Sequence, residues 1–466
     1  MRLRVRHRHL AIALAAFLAA CGERSVTGLP ANSGRLAVSI LGLPSVPSGA
    51  VSVSGSGTTY SITGTATFVL PVGTYTLSAA QAHIGGAPWY PNASSQTVTV
   101  TLGETQSARV RYGALPVGGA FVAHLDAFDS AMVAFMNARH VGAGTLTISR
   151  QGRVLYSRAF GWRDSARTQT LAPNALMRLA SNSKPVTSAA IWTLVSQGHL
   201  ALDTKAFALL ALTPPGSVGD ARINDITVKH LLDHTGGWNR SVAGDFMFKS
   251  RDISRALGIS TPPSKTQIAQ WAMTQPLQHA PGATVQYSNF GYLLLGLIVE
   301  KVTGQSFVDY VRQNLFTSAA ASEVIAGKSL RADRDAREPF YADPYKGCSV
   351  FVIDTCVLVP WPDGGWYLES FDACGGLVTS APAMASFLES YWISGAPRST
   401  VGSASYTFYG SLDGTFTLTR QRPDGANLVA LFNQRTDASG LAYEEIRQVL
   451  DAVADKALNA PLAVTD

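Results

Sequence analysis

The stretch Arg178-Leu179-Ala180-Ser181-Asn182-Ser183-Lys184-Pro185-Val186-Thr187 decides how this chain of 466 residues is read. An apolar segment, residues 189–195, follows it, and Gln197-Gly198 closes that segment, so Ser181 sits at the start of a helix. Pro185 agrees, because proline is tolerated in a helix only near its beginning, where backbone donors still lack intrahelical partners. Ser181 and Lys184 then share one face, a turn apart. A serine hydroxyl is a poor nucleophile until a neighbour takes its proton, and Lys184 can take it where burial and nearby cations leave the amine neutral. The helix start adds a backbone N–H and the positive end of a dipole, both favourable to a developing oxyanion.

Three further stretches follow in order. They are Thr227-Val228-Lys229-His230-Leu231-Leu232-Asp233-His234-Thr235-Gly236-Gly237; Pro281-Gly282 with Tyr287-Ser288-Asn289-Phe290-Gly291-Tyr292; and Gly375-Gly376-Leu377-Val378-Thr379-Ser380. Together with the serine stretch they resemble the motifs of the β-lactamase-related serine hydrolases, which include class C β-lactamases, D-alanyl-D-alanine carboxypeptidases, D-aminopeptidases and esterases. The resemblance covers roughly residues 120–459, and an acidic residue common in the family after the glycine pair is Ala383 here. It implies Ser181 as nucleophile, Lys184 and Tyr287 sharing the base role, and Asn289 contacting a substrate carbonyl or amide while holding Lys184. It implies no metal and no organic cofactor.

The family's third motif places Lys or His, one residue, then Gly on a strand facing the nucleophile. The best register is Phe408-Tyr409-Gly410-Ser411, which puts Phe408 where the cation or imidazole is expected and leaves the Ser411 N–H as second oxyanion donor. A phenylalanine on that wall favours neutral, apolar acyl or alcohol groups over carboxylate-bearing substrates, unless Arg420 or another cation reaches the pocket. His230 and His234 invite a zinc reading, but a metalloprotease helix needs glutamate directly after its first histidine and Leu231 stands there, so they are read as capping or packing a helix end. Trp238 lines the cleft or packs in the core.

Outward from these motifs, strands at 145–149 and 154–157 and a hairpin at 416–420 and 427–432 flank a helical middle. The two ends therefore meet in one antiparallel sheet with a helical insert, an α+β architecture. Residues 36–103 contain no Asp, Glu, Lys or Arg. Short β-branched runs at 36–40, 51–54, 66–70, 74–78, 96–102 and 108–112 mark a separate all-β sandwich there. The domain reading is a signal peptide at 1–20, a tether at 21–34, an accessory β-sandwich at 35–112, a linker at 113–119 and the hydrolase-like domain at 120–459.

The leader carries Arg2, Arg4, Arg6 and Arg8, then an apolar run ending in Leu18-Ala19-Ala20-Cys21, which resembles a bacterial lipoprotein signal with Cys21 as the lipidated residue. Removing those four arginines takes the net charge from +6 to +2, a balance that asks for no nucleic-acid partner. Beyond the membrane the chain faces an oxidising compartment, where Cys348 and Cys356 form a local disulfide and Cys374 is left over, although three cysteines allow three pairings. The expectation is a lipid-anchored envelope hydrolase cleaving ester or amide bonds of a small molecule or peptide, with an esterase-like preference and a β-domain that serves as a spacer or, alternatively, as a contact to the cell wall. Its rivals are a D-amino-acid-specific peptidase on peptidoglycan stems and a non-catalytic cell-wall-binding lipoprotein.

Overall fold

The computed structural model describes residues 28–398, 404–437 and 439–458. The signal peptide, Cys21 and the first part of the tether lie outside these residues. The described chain divides into two compact units. One holds residues up to Leu41 with Ser45–Ala80 and Ser95–Val110, and the other holds Gly42–Pro44, Gln81–Ser94 and the chain from Arg111 onward.

The first unit is built of strands. Thr58–Ile62, Val51–Gly55, Gly73–Ala79 and Ser95–Val100 form an antiparallel sheet in that order, and Ser33–Leu41 pairs with Ala66–Pro71. The period-two pattern is obeyed: Val100 is buried while Thr97 and Thr99 are exposed. The Ala82–Ile84 and Ala87–Pro91 hairpin, expected inside the accessory module, belongs instead to the second unit. Its strands are too short to show alternation, and Gly85-Gly86 at positive φ makes the turn between them.

In the second unit, helix α1 (Asp126–Ala138) precedes strands β1 (Ala143–Arg150) and β2 (Arg153–Gly161). Gln151 and Gly152, both at positive φ, join β1 to β2 in a two-residue hairpin. Helix α2 (Ser183–Ser196) carries Lys184, and helix α3 (Asn289–Thr303) begins at Asn289. Strands β3 (Tyr406–Leu412), β4 (Thr415–Gln421) and β5 (Asn427–Phe432) and helix α4 (Ile446–Ala457) close the chain. Strand β1 pairs antiparallel with β5, Thr145 opposite Leu431, so the two ends share a sheet as expected. The sheet order is a short strand Val117–Gly118, then β2, β1, β5, β4 and β3 at the edge. That first strand is a correction. Residues 113–119 were expected to link, yet Val117 pairs with Phe160 because Gly161 N–H finds the Pro116 carbonyl.

Alternation on the sheet decides what it packs against. Leu146, Ile148, Phe416, Leu418 and Leu428 turn toward α1 and α4, whose Phe128, Met132, Ile446 and Leu450 complete one core. The opposite face carries Thr145, Thr147, Thr415, Thr417 and Thr419, all fully buried against the helical insert. Within the insert α3 is buried on every side from Asn289 to Val299, as a helix apolar all round requires.

Candidate active site

The segment bearing Ser181 is held by the threonines of β4. Thr417 Oγ1 donates to Leu179 O at 2.8 Å and Thr415 Oγ1 to Arg178 O at 3.2 Å. The Asn182 amide donates to Thr417 Oγ1 at 2.7 Å and its oxygen accepts from Thr419 Oγ1 at 2.7 Å. Fully buried hydroxyls are stable only when bonded, and these bonds fix the turn from both strand and side chain. Ala180 adopts a left-handed φ of 48°, a strained conformation for alanine, and swings Ser181 out of the 3₁₀ turn Ala180–Asn182 that leads into α2. On β3, Gly410 lies directly against this turn, where a Cβ would strike Leu179 O and Thr417 Oγ1. Only glycine fits, which fixes the Phe408-Tyr409-Gly410 register.

Tyr287 Oη and Ser181 Oγ are joined by a hydrogen bond of 2.7 Å. Lys184 makes a different contact from the one spacing suggested. Its Nζ donates to Asn289 Oδ1 at 2.6 Å and to the Cys374 carbonyl, and lies 4.7 Å from the Tyr287 ring centroid. Among the contacts described, Lys184 meets Asn289, the Cys374 carbonyl and the Tyr287 ring, and Tyr287 in turn meets Ser181. The side chain is 2% exposed, so an ammonium there depends on these acceptors. Asn289 is oriented in turn by Asp245, whose Oδ2 accepts from Nδ2 at 2.7 Å.

The turn supplying the Cys374 carbonyl is pinned on two sides. Thr187 Oγ1 donates to Ala373 O at 2.6 Å, and half-buried Lys265 bridges Asp372 and Glu300 at 2.7 and 2.6 Å. Burial pushes the Cys374 thiol up to about 12, so it remains a protonated packing group. Cys348 and Cys356 are joined as a disulfide. The loop they close is held to the helix Ser250–Leu257 by Arg251, which donates to Val352 O, Ile353 O and Thr355 O.

The Thr227–Gly237 stretch supports the loop that carries Tyr287. Ser288 N–H donates to His234 Nδ1 at 3.1 Å, Gln286 N–H to His234 O at 2.7 Å and Gly282 N–H to Thr235 O at 2.8 Å, so the glycine turn carries the loop that presents Tyr287. The His234 ring stacks on Tyr287 with centroids 4.8 Å apart. Burial, and then the charge of Lys184, lower its pKa to about 4, keeping the imidazole neutral. His230 caps the start of the helix Val228–Leu232, where its Nδ1 accepts from Thr227 N–H. Trp238 is 5% exposed and packs edge-on against Phe290, as a core aromatic.

Ser181, Tyr287, Asn289 and Ser411 line one cleft of about 300 Å³ with Arg240, Phe248, Phe371, Leu412, Asp413 and Arg435. Phe408 is not on that wall. It borders a neighbouring cavity, also about 300 Å³, with Lys184, Trp192, Tyr292 and Ile393, because two residues of strand carry it past the nucleophile. Arg420 does not reach the cleft either. It pairs with Asp451 at 3.2 Å and with Ser405 at 2.6 Å. The cations at the site are Arg240, over the Tyr287 ring at 5.0 Å, and Arg435, paired with Asp413 at 2.8 Å.

The Beta-lactamase family profile matches residues 128–442, well over half of the chain and all of the elements that build this site. The chain belongs to the Beta-lactamase family. It is 35% identical over 187 residues to Esterase EstB of Burkholderia gladioli, covering 39% of this chain and 46% of the esterase. It is 29% identical over 192 residues to Penicillin-binding protein 4* of Bacillus subtilis strain 168, covering 40% of this chain and 39% of that protein. The chain thus spans less than half the length of these curated relatives. Among solved structures, the D-amino acid amidase of Ochrobactrum anthropi SV3 complexed with L-phenylalanine matches with a TM-score of 0.51 at 17% identity, over 71% of this chain and 99% of the amidase, a likeness of fold.

Within this Beta-lactamase family domain, sequence reasoning missed Asp245, Thr417, Thr419, Arg240 and Arg435. The threonines left a trace, since Thr415-Phe416-Thr417-Leu418-Thr419 alternates polar and apolar residues on a strand buried on both faces. A polar face without water must be bonded to something. Asp245 and Arg240 left none, because their partners lie across the fold.

Proposed function

We propose that the chain is a serine hydrolase that cleaves carboxylic esters through an acyl-enzyme, anchored at the cell envelope by a lipid on Cys21. The observation that carries this reading is the 2.7 Å contact between Tyr287 Oη and Ser181 Oγ beside a buried lysine. Tyr287 as phenolate takes the Ser181 proton while Oγ attacks the carbonyl carbon. Lys184 Nζ lies 4.7 Å from the centroid of that ring, and Asn289, held by Asp245, keeps Lys184 in place. The tetrahedral oxyanion is received by the N–H groups of Ser181 and Ser411, the latter on the edge strand. Collapse expels the alkoxide, which takes the proton from Tyr287. Water then attacks the acyl-serine, giving its proton to Tyr287, and as the bond from the carbonyl carbon to Oγ breaks Tyr287 passes that proton to Ser181 Oγ and the acid leaves.

An ester preference is supported by Phe408 standing where the family's strand motif carries a cation, beside Trp192 and Ile393 in a cavity whose other walls include Lys184, Asp233 and His234. The similarity to Esterase EstB agrees. The test is labelling by a fluorophosphonate serine probe together with a panel of 4-nitrophenyl esters, D-alanyl anilides and a chromogenic cephalosporin. Wild type should label and hydrolyse the esters fastest, and Ser181→Ala should do neither. A wild-type protein that fails to label is a binding protein, and anilide turnover exceeding ester turnover makes it a D-specific peptidase.

A further inference from the structure

The charged residues lining the Ser181 cleft are Arg240, Asp413 and Arg435. Asp413 is matched to Arg435 at 2.8 Å and also accepts from Trp366 Nε1 at 3.4 Å. Arg240 is left over. Among the described residues it has no hydrogen-bond or ion-pair partner, and its one close contact is the face of the Tyr287 ring. Asp245 lines the same small recess as Arg240 and Trp238, but its Oδ2 accepts from Asn289 Nδ2 and its Oδ1 from Met247 N–H. A guanidinium is charged at every relevant pH and presents a planar fork that suits a carboxylate. This one stands exposed at the mouth of the cleft, over the residue whose hydroxyl meets the nucleophile.

The location specifies which part of the substrate it meets. Tyr287 returns the proton to the leaving oxygen, so the leaving alcohol lies along Tyr287 in the reactive complex, and its substituents extend toward the guanidinium over that ring. We propose that Arg240 is a specificity-determining residue that receives a carboxylate on the leaving alcohol, so that the preferred substrates are O-acylated hydroxy acids. The missing cation of the third strand motif is not replaced at Phe408. The positive charge stands instead at Arg240, over the Tyr287 ring. This inference rests on the ester-hydrolase reading.

The test compares kcat/KM for 4-acetoxybenzoate with that for its methyl ester, in wild type and in Arg240→Gln, Arg240→Lys and Arg240→Glu. Taking the ratio within each variant cancels any general effect on Tyr287 or on folding. The ratio should fall by about tenfold in Arg240→Gln, fall further in Arg240→Glu and largely survive in Arg240→Lys, as for an ion pair at a partly exposed site. In wild type it should shrink as KCl is raised from about 0.05 M to about 0.5 M. A ratio that is the same in wild type, Arg240→Gln and Arg240→Glu overturns the proposal. So does a loss confined to mono-4-nitrophenyl succinate, whose carboxylate sits on the acyl arm. Undiminished turnover of both acetoxy esters by Ser181→Ala would instead strike the hydrolase reading itself.

Discussion

Tyr287 touches Ser181, while Lys184 Nζ bonds Asn289 and a carbonyl and lies over the Tyr287 and Tyr292 rings, and this division sets the expected kinetics. None of the three is a competent nucleophile or base alone. Tyr287→Phe and Lys184→Ala should each lower kcat/KM on a 4-nitrophenyl ester by ~10³-fold, and the double variant should be little worse than either, since groups acting as a unit lose their effect together. Additive losses, measured in one steady-state series, would show two independent roles. His234 adds a pH dependence. Its pKa is lowered from 6.5 to about 4, so between those values the unfolded chain binds the extra proton and the folded chain does not. Stability from this group is full above about pH 6.5 and is lost as the pH falls toward 4, amounting to a few kcal/mol, roughly 3. Urea midpoints at pH 7 and pH 4.5 should therefore differ more for wild type than for His234→Gln.

The edge strand β3 and its neighbour β4 show what a sequence does and does not reveal about a site. The register of Phe408-Tyr409-Gly410 was legible because glycine is demanded where β3 meets the serine turn. The place of the Phe408 side chain was not, since a strand position names a face but not the cavity along it. Ser181 and the start of its helix were readable from local spacing and turn residues, whereas Tyr287 was legible only through the family resemblance. Asp245 was unreadable because its partner Asn289 is 44 residues away, and Thr419 meets Asn182 across 237. Two expectations belong to these strands. Gly410→Ala forces a Cβ into Leu179 O and Thr417 Oγ1, and should abolish hydrolysis while the far-ultraviolet spectrum is kept. Thr419→Val keeps the strand but leaves the buried Asn182 oxygen without its donor, costing about 1–3 kcal/mol in chemical denaturation.

Across the whole chain, the contrast between a basic, apolar leader and a charge-poor segment at 36–103 bears on where the hydrolase works. In the proposed anchoring, cleavage before Cys21 would remove the four leader arginines and leave Cys21 at the new N-terminus as the acylated residue. Each buried methylene of such a chain contributes about 0.8 kcal/mol, and two or more chains hold a protein at a membrane where one does not. The Ser181 site is assembled entirely from residues of the second compact unit, far along the chain from that cysteine. Position and chemistry should therefore separate. Cys21→Ser should shift the protein from the membrane pellet to the soluble fraction, while kcat/KM on a soluble 4-nitrophenyl ester changes by less than about twofold, a difference of under ~0.5 kcal/mol in barrier. Intact mass spectrometry of wild type should show a mature chain beginning at residue 21 and carrying acyl groups. An unmodified wild type, or a Cys21→Ser protein still sedimenting with membranes after a high-salt wash, would mean that the leader is an ordinary secretory peptide and that any membrane contact is made by the folded units.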